Sequence, residues 1–203
     1  MTPPANMKIG LGYDIHRFDA GRRMLKLGGI TVPSDRGLGG HSDADVLLHA
    51  VADALLGAIG APDLGELFPS SDPQYRGLDS RWFVEQACAM ARRAGWQVAN
   101  LDTTVVADAP RLVPHKTKMA ASISRMLDID PSQVCVKAKT TEGFPPGRDG
   151  IAAHAVVLLR AVGSRLKAQG KRKKRIRQPR ALSQREALRS SLQPRAKRVE
   201  KSR

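Results

Sequence analysis

HSDADVLLHAVAD, residues 41–53, is the stretch whose reading decides the fold. Val46, Leu47, Leu48 and Val51, continued by Leu55 and Leu56, recur at helical spacing and can bury one side of a helix reaching about Ile59. Ser42, with Asp45 three residues on, has the form of an N-cap followed by an acidic first turn. Asp45, His49 and Asp53 recur every four residues, which stacks them on one helical face. With His41, Ser42 and Asp43 they make six polar residues at the start and along one side of an apolar pattern. Such a helix is suited to holding a ligand.

Upstream, residues 8–11 form a short strand leading into residues 12–16, whose period-two alternation puts Asp14 and His16 on one face. Residues 24–27 and 30–32 pattern as a hairpin around Gly28-Gly29, and residues 37–40 as a flexible approach to the helix. Downstream, residues 60–79 are a long loop rich in Gly, Pro, Ser and Asp, a length that is usually functional or disordered. Residues 80–94 pattern as an amphipathic helix with Trp82, Phe83, Ala87, Met90 and Ala91 inward. A strand follows at 98–107, then a helix starting at Pro114 and running to Leu127, and strands at 134–139 and 151–161. Alternating strands and helices predict a single-domain α/β sandwich, a mixed sheet with helices on one face.

The net charge of +15 does not belong to that domain. Residues 164–203 carry 16 Lys and Arg against 2 Asp and Glu, and the remaining 18 basic and 17 acidic residues leave 1–163 close to neutral. The overall basicity is therefore no argument for a nucleic-acid-binding core. The tail, with no aromatics and few large apolar residues, is expected to be disordered, either as a plain solubilising extension or in weak contact with nucleic acid or an anionic surface. Cys88 and Cys135 lie far apart in apolar patterns and are expected to be buried thiols. No apolar run is long enough to span a bilayer, and residues 1–6 have neither part of a secretory signal. A cytoplasmic address is expected, with residues 1–6 a disordered lead and Met7 an alternative start.

Asp14, His16 and His49 are a candidate metal site. Two imidazoles and a carboxylate suit zinc, and three protein ligands leave a fourth position for substrate. Asp45 and Asp53, one turn either side of His49, could orient its ring from behind. The plain alternative is a solvated acidic helix face with an unrelated histidine. Thr140, Thr141 and Glu142, followed by residues 147–150 with Arg148, offer hydroxyls, a carboxylate and a guanidinium suited to phosphate and a hard cation. The competing reading is an ordinary linker. ADAPRLV at 107–113 reads as a strand exit whose backbone could bond a flat polar ring, or as a simple strand–helix turn. There is no phosphate-binding GxxxxGK[ST] run, and Gly10-x-Gly12 lacks the third glycine and following helix of a dinucleotide fingerprint. No serine sits in a nucleophile elbow.

These residues carry a resemblance. GYDIHRF (12–18), GGHSDADVLLHAVADALLGA (39–58), DLGELFP (63–69) with SDP after it, ADAPRLVPH (107–115), KAKTTE (137–142) and GRDGIAAHAVVLL (147–159) closely resemble the 2-C-methyl-D-erythritol 2,4-cyclodiphosphate synthase family of the non-mevalonate isoprenoid pathway, in its order and near its spacing. The resemblance implies a homotrimeric, metal-dependent lyase with active sites between subunits. Its substrate would be 4-diphosphocytidyl-2-C-methyl-D-erythritol 2-phosphate, cyclised with release of CMP. It implies one zinc per subunit on Asp14, His16 and His49, and magnesium or manganese on Glu142. His41 and Thr140 match groups that support the transition state. Ser42, Asp63, Leu64, Gly65, Phe68, Pro69, Ser70, Ser71 and Asp72 match the part that holds methylerythritol phosphate. Ala107, Asp108, Ala109, Pro110, Arg111, Leu112, Val113, Lys139, Thr141, Phe144 and Arg148 match the cytidine diphosphate side. Three features depart from the family pattern: the run from Glu142 to Arg148 is one residue short with two prolines, Lys139 replaces a small hydroxyl residue, and Ser70 replaces an acid. Two other functions compete with this reading: a zinc hydrolase with water in the open position, and a catalytically dead scaffold that binds nucleic acid through its tail.

Overall fold

The structure, a computed structural model, describes residues 6–143 and 149–163. All of these lie in one compact unit, Met1–Ser164. Phe144, Arg148 and the basic tail, with the contacts expected of them, lie outside the described residues.

Strand β1 (Met7–Asp19) is longer than the alternation alone suggested, because it pairs along most of its length with the last strand, β7 (Gly150–Ala161). β5 (Trp96–Val106) flanks β7 antiparallel, and β6 (Val134–Lys139) lies parallel to β5. A two-residue strand, β4 (Gly37–Leu38), pairs with Phe18 and Asp19 and completes a five-stranded mixed sheet of order β4-β1-β7-β5-β6. The expected flexible approach at 37–40 is corrected there: Leu38 is buried and its backbone is held in the sheet. The β2 (Leu25–Leu27) and β3 (Ile30–Val32) hairpin forms as its Gly-Gly turn requires, with φ of 64° and 73° at Gly28 and Gly29.

Helices α1 (Val46–Ile59), α3 (Ser80–Arg93) and α4 (Lys116–Leu127) complete the mixed α/β fold, and α1 and α3 contribute many of its buried apolar side chains. Residues 113–115 form a separate 3₁₀ turn, so α4 begins two residues after the expected Pro114. Within the expected loop 60–79 there is order: a short helix α2 (Leu64–Leu67) and a 3₁₀ turn at Pro73–Tyr75. Phe68, Tyr75, Trp82 and Phe83 pack ring against ring, tying this segment to α3 with centroids 5.2–6.4 Å apart.

The contact that sets the site is α1 on β1. A Cβ added to Gly12 would lie 1.9 Å from the Ala50 carbonyl oxygen, and one added to Gly10 would lie 1.9 Å from that of Ala54. Helix and strand meet backbone to backbone, with alanines 50, 54 and 58 as the helix stripe. The glycines that failed as a nucleotide fingerprint are there for this approach. Asp14 and His16 are the next residues on the same strand face. They therefore arrive beside His49, at the start of the antiparallel-running helix.

One expectation fails on burial, and α1 is buried more fully than its apolar pattern requires. In α1 Val46 to Ala52, including His49, are all buried. Cys135 is exposed, because β6 alternates Val134 and Val136 inward and turns the thiol to the outer sheet face. Cys88 is buried as expected, and burial pushes its thiol up to about 11.

Candidate active site

Three donor atoms converge at the start of α1. Asp14 Oδ2 lies 2.9 Å from His16 Nε2 and 3.0 Å from His49 Nδ1, and the two ring nitrogens are 3.2 Å apart. Each residue is fixed from behind. Asp14 Oδ1 accepts the Ile15 amide at 2.8 Å. His16 Nδ1 lies 2.6 Å from the Gly39 carbonyl, which can only accept, so that nitrogen carries a proton and Nε2 is the one able to ligate a metal. β4 is what holds Gly39 there, through the Gly39 amide donated to Arg17.

The trio fits a metal ion. Nitrogen and oxygen donors about 2.0–2.1 Å from tetrahedral zinc sit about 3.3 Å from one another, close to the separations here. Its electrostatics agree. Burial pushes the Asp14 carboxyl up, yet hydrogen bonds and charge from His16 and His49 outweigh it and hold the group well below the usual carboxylate range. Burial pulls His16 down, yet its bonds to Asp14 and Gly39 carry it above the usual histidine range. The centre of the triangle favours positive charge. Among the described residues this is the group of three or more His, Cys, Asp or Glu able to share an ion.

The trio sits in a cavity of about 370 Å³ whose walls include His41, Ser42 and Asp53, then Leu64, Gly65, Phe68, Pro69, Ser70 and Ser71, with Tyr75 and Phe83. His41 is exposed at its mouth, with its backbone carbonyl taking the Gly77 amide at 2.8 Å. Arg22, which the sequence reading passed over, bonds the carbonyls of Gly40 and Ser42 and holds this segment in place. Asp63 and Asp72 do not line the cavity. Asp63 caps α2 through the Glu66 amide at 2.8 Å, and Asp72 caps the 3₁₀ turn through the Gln74 amide at 3.0 Å.

The two acids expected to orient His49 do other work. Asp45 is fully buried and is the N-cap of α1, one residue before the helix begins, with Ala44 before it at φ 60°. Its oxygens take the Leu48, Gly28 and Gly29 amides at 3.0, 2.8 and 2.7 Å, locking the β2–β3 turn to the helix end. Asp53 accepts the Leu64 amide at 2.7 Å and so anchors the cavity wall; burial pushes its carboxyl up. His49 Nε2 faces instead the hydroxyls of Ser80 at 2.9 Å and Ser42 at 3.2 Å. Nothing in the sequence around Ser80 beyond a helix start signals this contact.

The second candidate cluster forms where β5 and β6 end. The Ala107 amide donates to the Lys139 carbonyl at 2.9 Å, and Asp108 takes both the amide and the hydroxyl of Thr141, at 2.8 and 2.7 Å. Thr140 donates to Glu142, which has φ 54°, and the peptide between Ala109 and Pro110 is cis. Residues 107–113 and 139–142 do not line the cavity of the trio. Register explains it: Ile15 pairs with Ala152, Ala152 with Val106 and Val106 with Lys139, so the clusters share one end of the sheet two and three strands apart. That is about 10–15 Å.

The sheet-and-helix layer, with a three-donor cluster inside an open cavity, defines the class: a small α/β protein with a cavity built around a centre able to hold a metal ion. Residues 7–160 match the YgbB family, and the chain belongs to it. The 2-C-methyl-D-erythritol 2,4-cyclodiphosphate synthase of Syntrophomonas wolfei is 52% identical over 155 residues, covering 75% of this chain and 98% of that protein. A solved structure of 2C-methyl-D-erythritol-2,4-cyclodiphosphate synthase in a CDP-bound form matches with a TM-score of 0.70 and 38% identity, over 75% of this chain and 99% of that one. The bifunctional IspDF of Campylobacter jejuni matches with a TM-score of 0.73 and 36% identity over 76% of this chain, which spans 42% of that longer one.

Proposed function

We propose that the chain converts 4-diphosphocytidyl-2-C-methyl-D-erythritol 2-phosphate into 2-C-methyl-D-erythritol 2,4-cyclodiphosphate and CMP. The observation that carries this is the Asp14–His16–His49 triangle inside a cavity walled by Ser42, Leu64, Gly65, Phe68 and Pro69. An oxygen of the substrate's 2-phosphate attacks the β-phosphorus, the bond from that phosphorus to the bridging oxygen breaks, and the oxygen leaves on CMP. The nucleophile is part of the substrate, in keeping with the lack of a nucleophile motif in the sequence. Catalysis is then positioning and charge stabilisation.

Asp14, His16 and His49 would hold zinc, and Glu142 magnesium or manganese. Bound there, these ions would supply Lewis-acid charge to the diphosphate oxygens. His41, at the cavity mouth, donates to phosphate oxygens. Ser42 and the wall from Leu64 to Ser71 hold the methylerythritol phosphate, and Asp53 keeps that wall in register through the Leu64 amide. The backbone of 107–113 and Lys139, Thr140 and Thr141 receive the cytidine diphosphate, with Asp108 joining the two strand ends. The protein is proposed to work in the cytoplasm.

A homotrimer with sites between subunits is part of the proposal. Two observations support it. The two clusters stand apart within one chain, and the outer sheet face leaves Ile9 71%, Leu11 67% and Tyr13 50% exposed beside Ile15 and Val156. A row of large apolar residues on a sheet face marks an interaction surface. The mass in solution should be three times the 22.0 kDa of the chain, by light scattering on an eluting peak.

Activity is tested by incubating the diphosphocytidyl substrate with zinc and magnesium. CMP is followed by chromatography and the cyclic diphosphate by phosphorus NMR. Both products should appear together, be lost on chelation and return with metal. CMP with a linear product would identify a hydrolase instead, and no turnover would end the proposal.

A further inference from the structure

Each imidazole of the trio has a second nitrogen, and the two are held differently. His16 leans on a backbone carbonyl. His49 Nε2 points into the protein, 2.9 Å from the hydroxyl of Ser80, the first residue of α3, which is completely buried. The Ser80 hydroxyl also bonds Asp43 Oδ1, the oxygen that takes the Ser80 amide at 3.1 Å.

The direction of this chain follows from counting protons. A hydroxyl has one hydrogen and a carboxylate has none to give, so Ser80 donates to Asp43. Its lone pairs are then what His49 Nε2 meets, and Nε2 must carry the ring's hydrogen. That leaves Nδ1 with its lone pair directed at Asp14 and His16. Ser42, 3.2 Å away, is the rival partner, but its oxygen takes the Ala44 amide at 3.1 Å and lies 3.3 Å from the Ser80 oxygen, which, having given its own hydrogen to Asp43, accepts the one Ser42 has to give. Phe83 closes the remaining side of the ring edge-on, at 6.0 Å between centroids.

We propose that Ser80, backed by Asp43, is a positioning residue for His49, fixing the tautomer and ring plane in which Nδ1 is offered as a metal ligand. The reaction of the proposed function does not assign these two residues a role. A carboxylate acting through a hydroxyl on a ligating histidine is a variant of the outer support that such histidines commonly have. The inference rests on the reading of Asp14, His16 and His49 as a metal site.

The test uses the full chain, stripped of metal, as wild type, Ser80→Ala and Asp43→Asn. Zinc affinity is measured by competition with a chromophoric chelator, the cobalt(II)-loaded absorption spectrum is recorded, and the metal-free melting temperature is followed. Wild type should bind one zinc per chain. Ser80→Ala should bind it about 10- to 100-fold more weakly, with altered cobalt bands. Its metal-free melting should stay within a few degrees, because Asp79 still caps α3 and alanine suits a first helical turn. Asp43→Asn should fall between the two in affinity. Ser80→Ala binding zinc within about twofold of wild type, with a superimposable cobalt spectrum, would overturn the inference and leave the metal site intact. Weaker zinc binding in step with a large loss of metal-free stability would overturn it too, as a packing role. If wild type bound no zinc, the metal-site reading itself would fall.

Discussion

His49→Ala should lose turnover by about a thousandfold or more. Lewis-acid stabilisation of a phosphoryl group is worth several kcal/mol, and each 1.4 kcal/mol or so is a factor of ten in rate. The imidazole supplies one of three donor atoms that lie within 3.2 Å of one another, and among the described residues no other His, Cys, Asp or Glu groups with them. Ser42 and Ser80 sit on its far side, facing Nε2. Bound zinc, measured by elemental analysis, should fall well below one per chain. The fold should survive, since His49 packs by one edge against Phe83 and the helix is capped independently by Asp45. Near-normal turnover with a full complement of zinc would mean that His49 is not a ligand.

Gly12→Ala should destabilise the protein by about 3–5 kcal/mol, at the upper end for a single substitution. The new methyl would sit 1.9 Å from the Ala50 carbonyl oxygen and 2.6 Å from the Ala54 amide nitrogen. Both are backbone atoms of α1, so no side-chain rotation relieves the clash. The helix must move off the strand. Thermal melting should show a drop of well over 10 °C, or the variant should fail to accumulate folded. If soluble protein is recovered, its zinc affinity should be impaired as well, because the movement that admits the methyl carries His49 away from Asp14 and His16. A melting temperature within two degrees of wild type would show that the backbones are not so close.

The elements easiest to read were those with a period and a boundary. β6 was expected at 134–139 and is found there, since Asp130-Pro131 and Thr140-Thr141 bracket an alternating run. Asp14, His16 and His49 were legible because strand and helix periods each put polar groups on one face. Asp45 misled for a physical reason. Four-residue spacing stacks two residues only when both lie inside a helix, and Asp45 stands just before the first turn, with Ala44 in the left-handed region. Ser80 could not be read at all: its contact with His49 spans 31 residues of sequence, and the local pattern shows only a helix start. β4 is two residues long, too short for a period, and exists because β1 offers it an edge. Cys135 had the right period and the wrong side, since alternation fixes which residues share a face but not which face is covered.

The different backing of the two imidazoles bears on how this site can change by descent. The Gly39 carbonyl that steadies His16 belongs to the main chain, so no change of side chain at position 39 can delete it. The hydroxyl facing His49 is inherited as a codon and can be gained, lost or exchanged in one step. Drift in which ion the proposed metal centre prefers would therefore have unequal routes. The half built on β1 is conservative by construction, and variation has to enter from the α3 side.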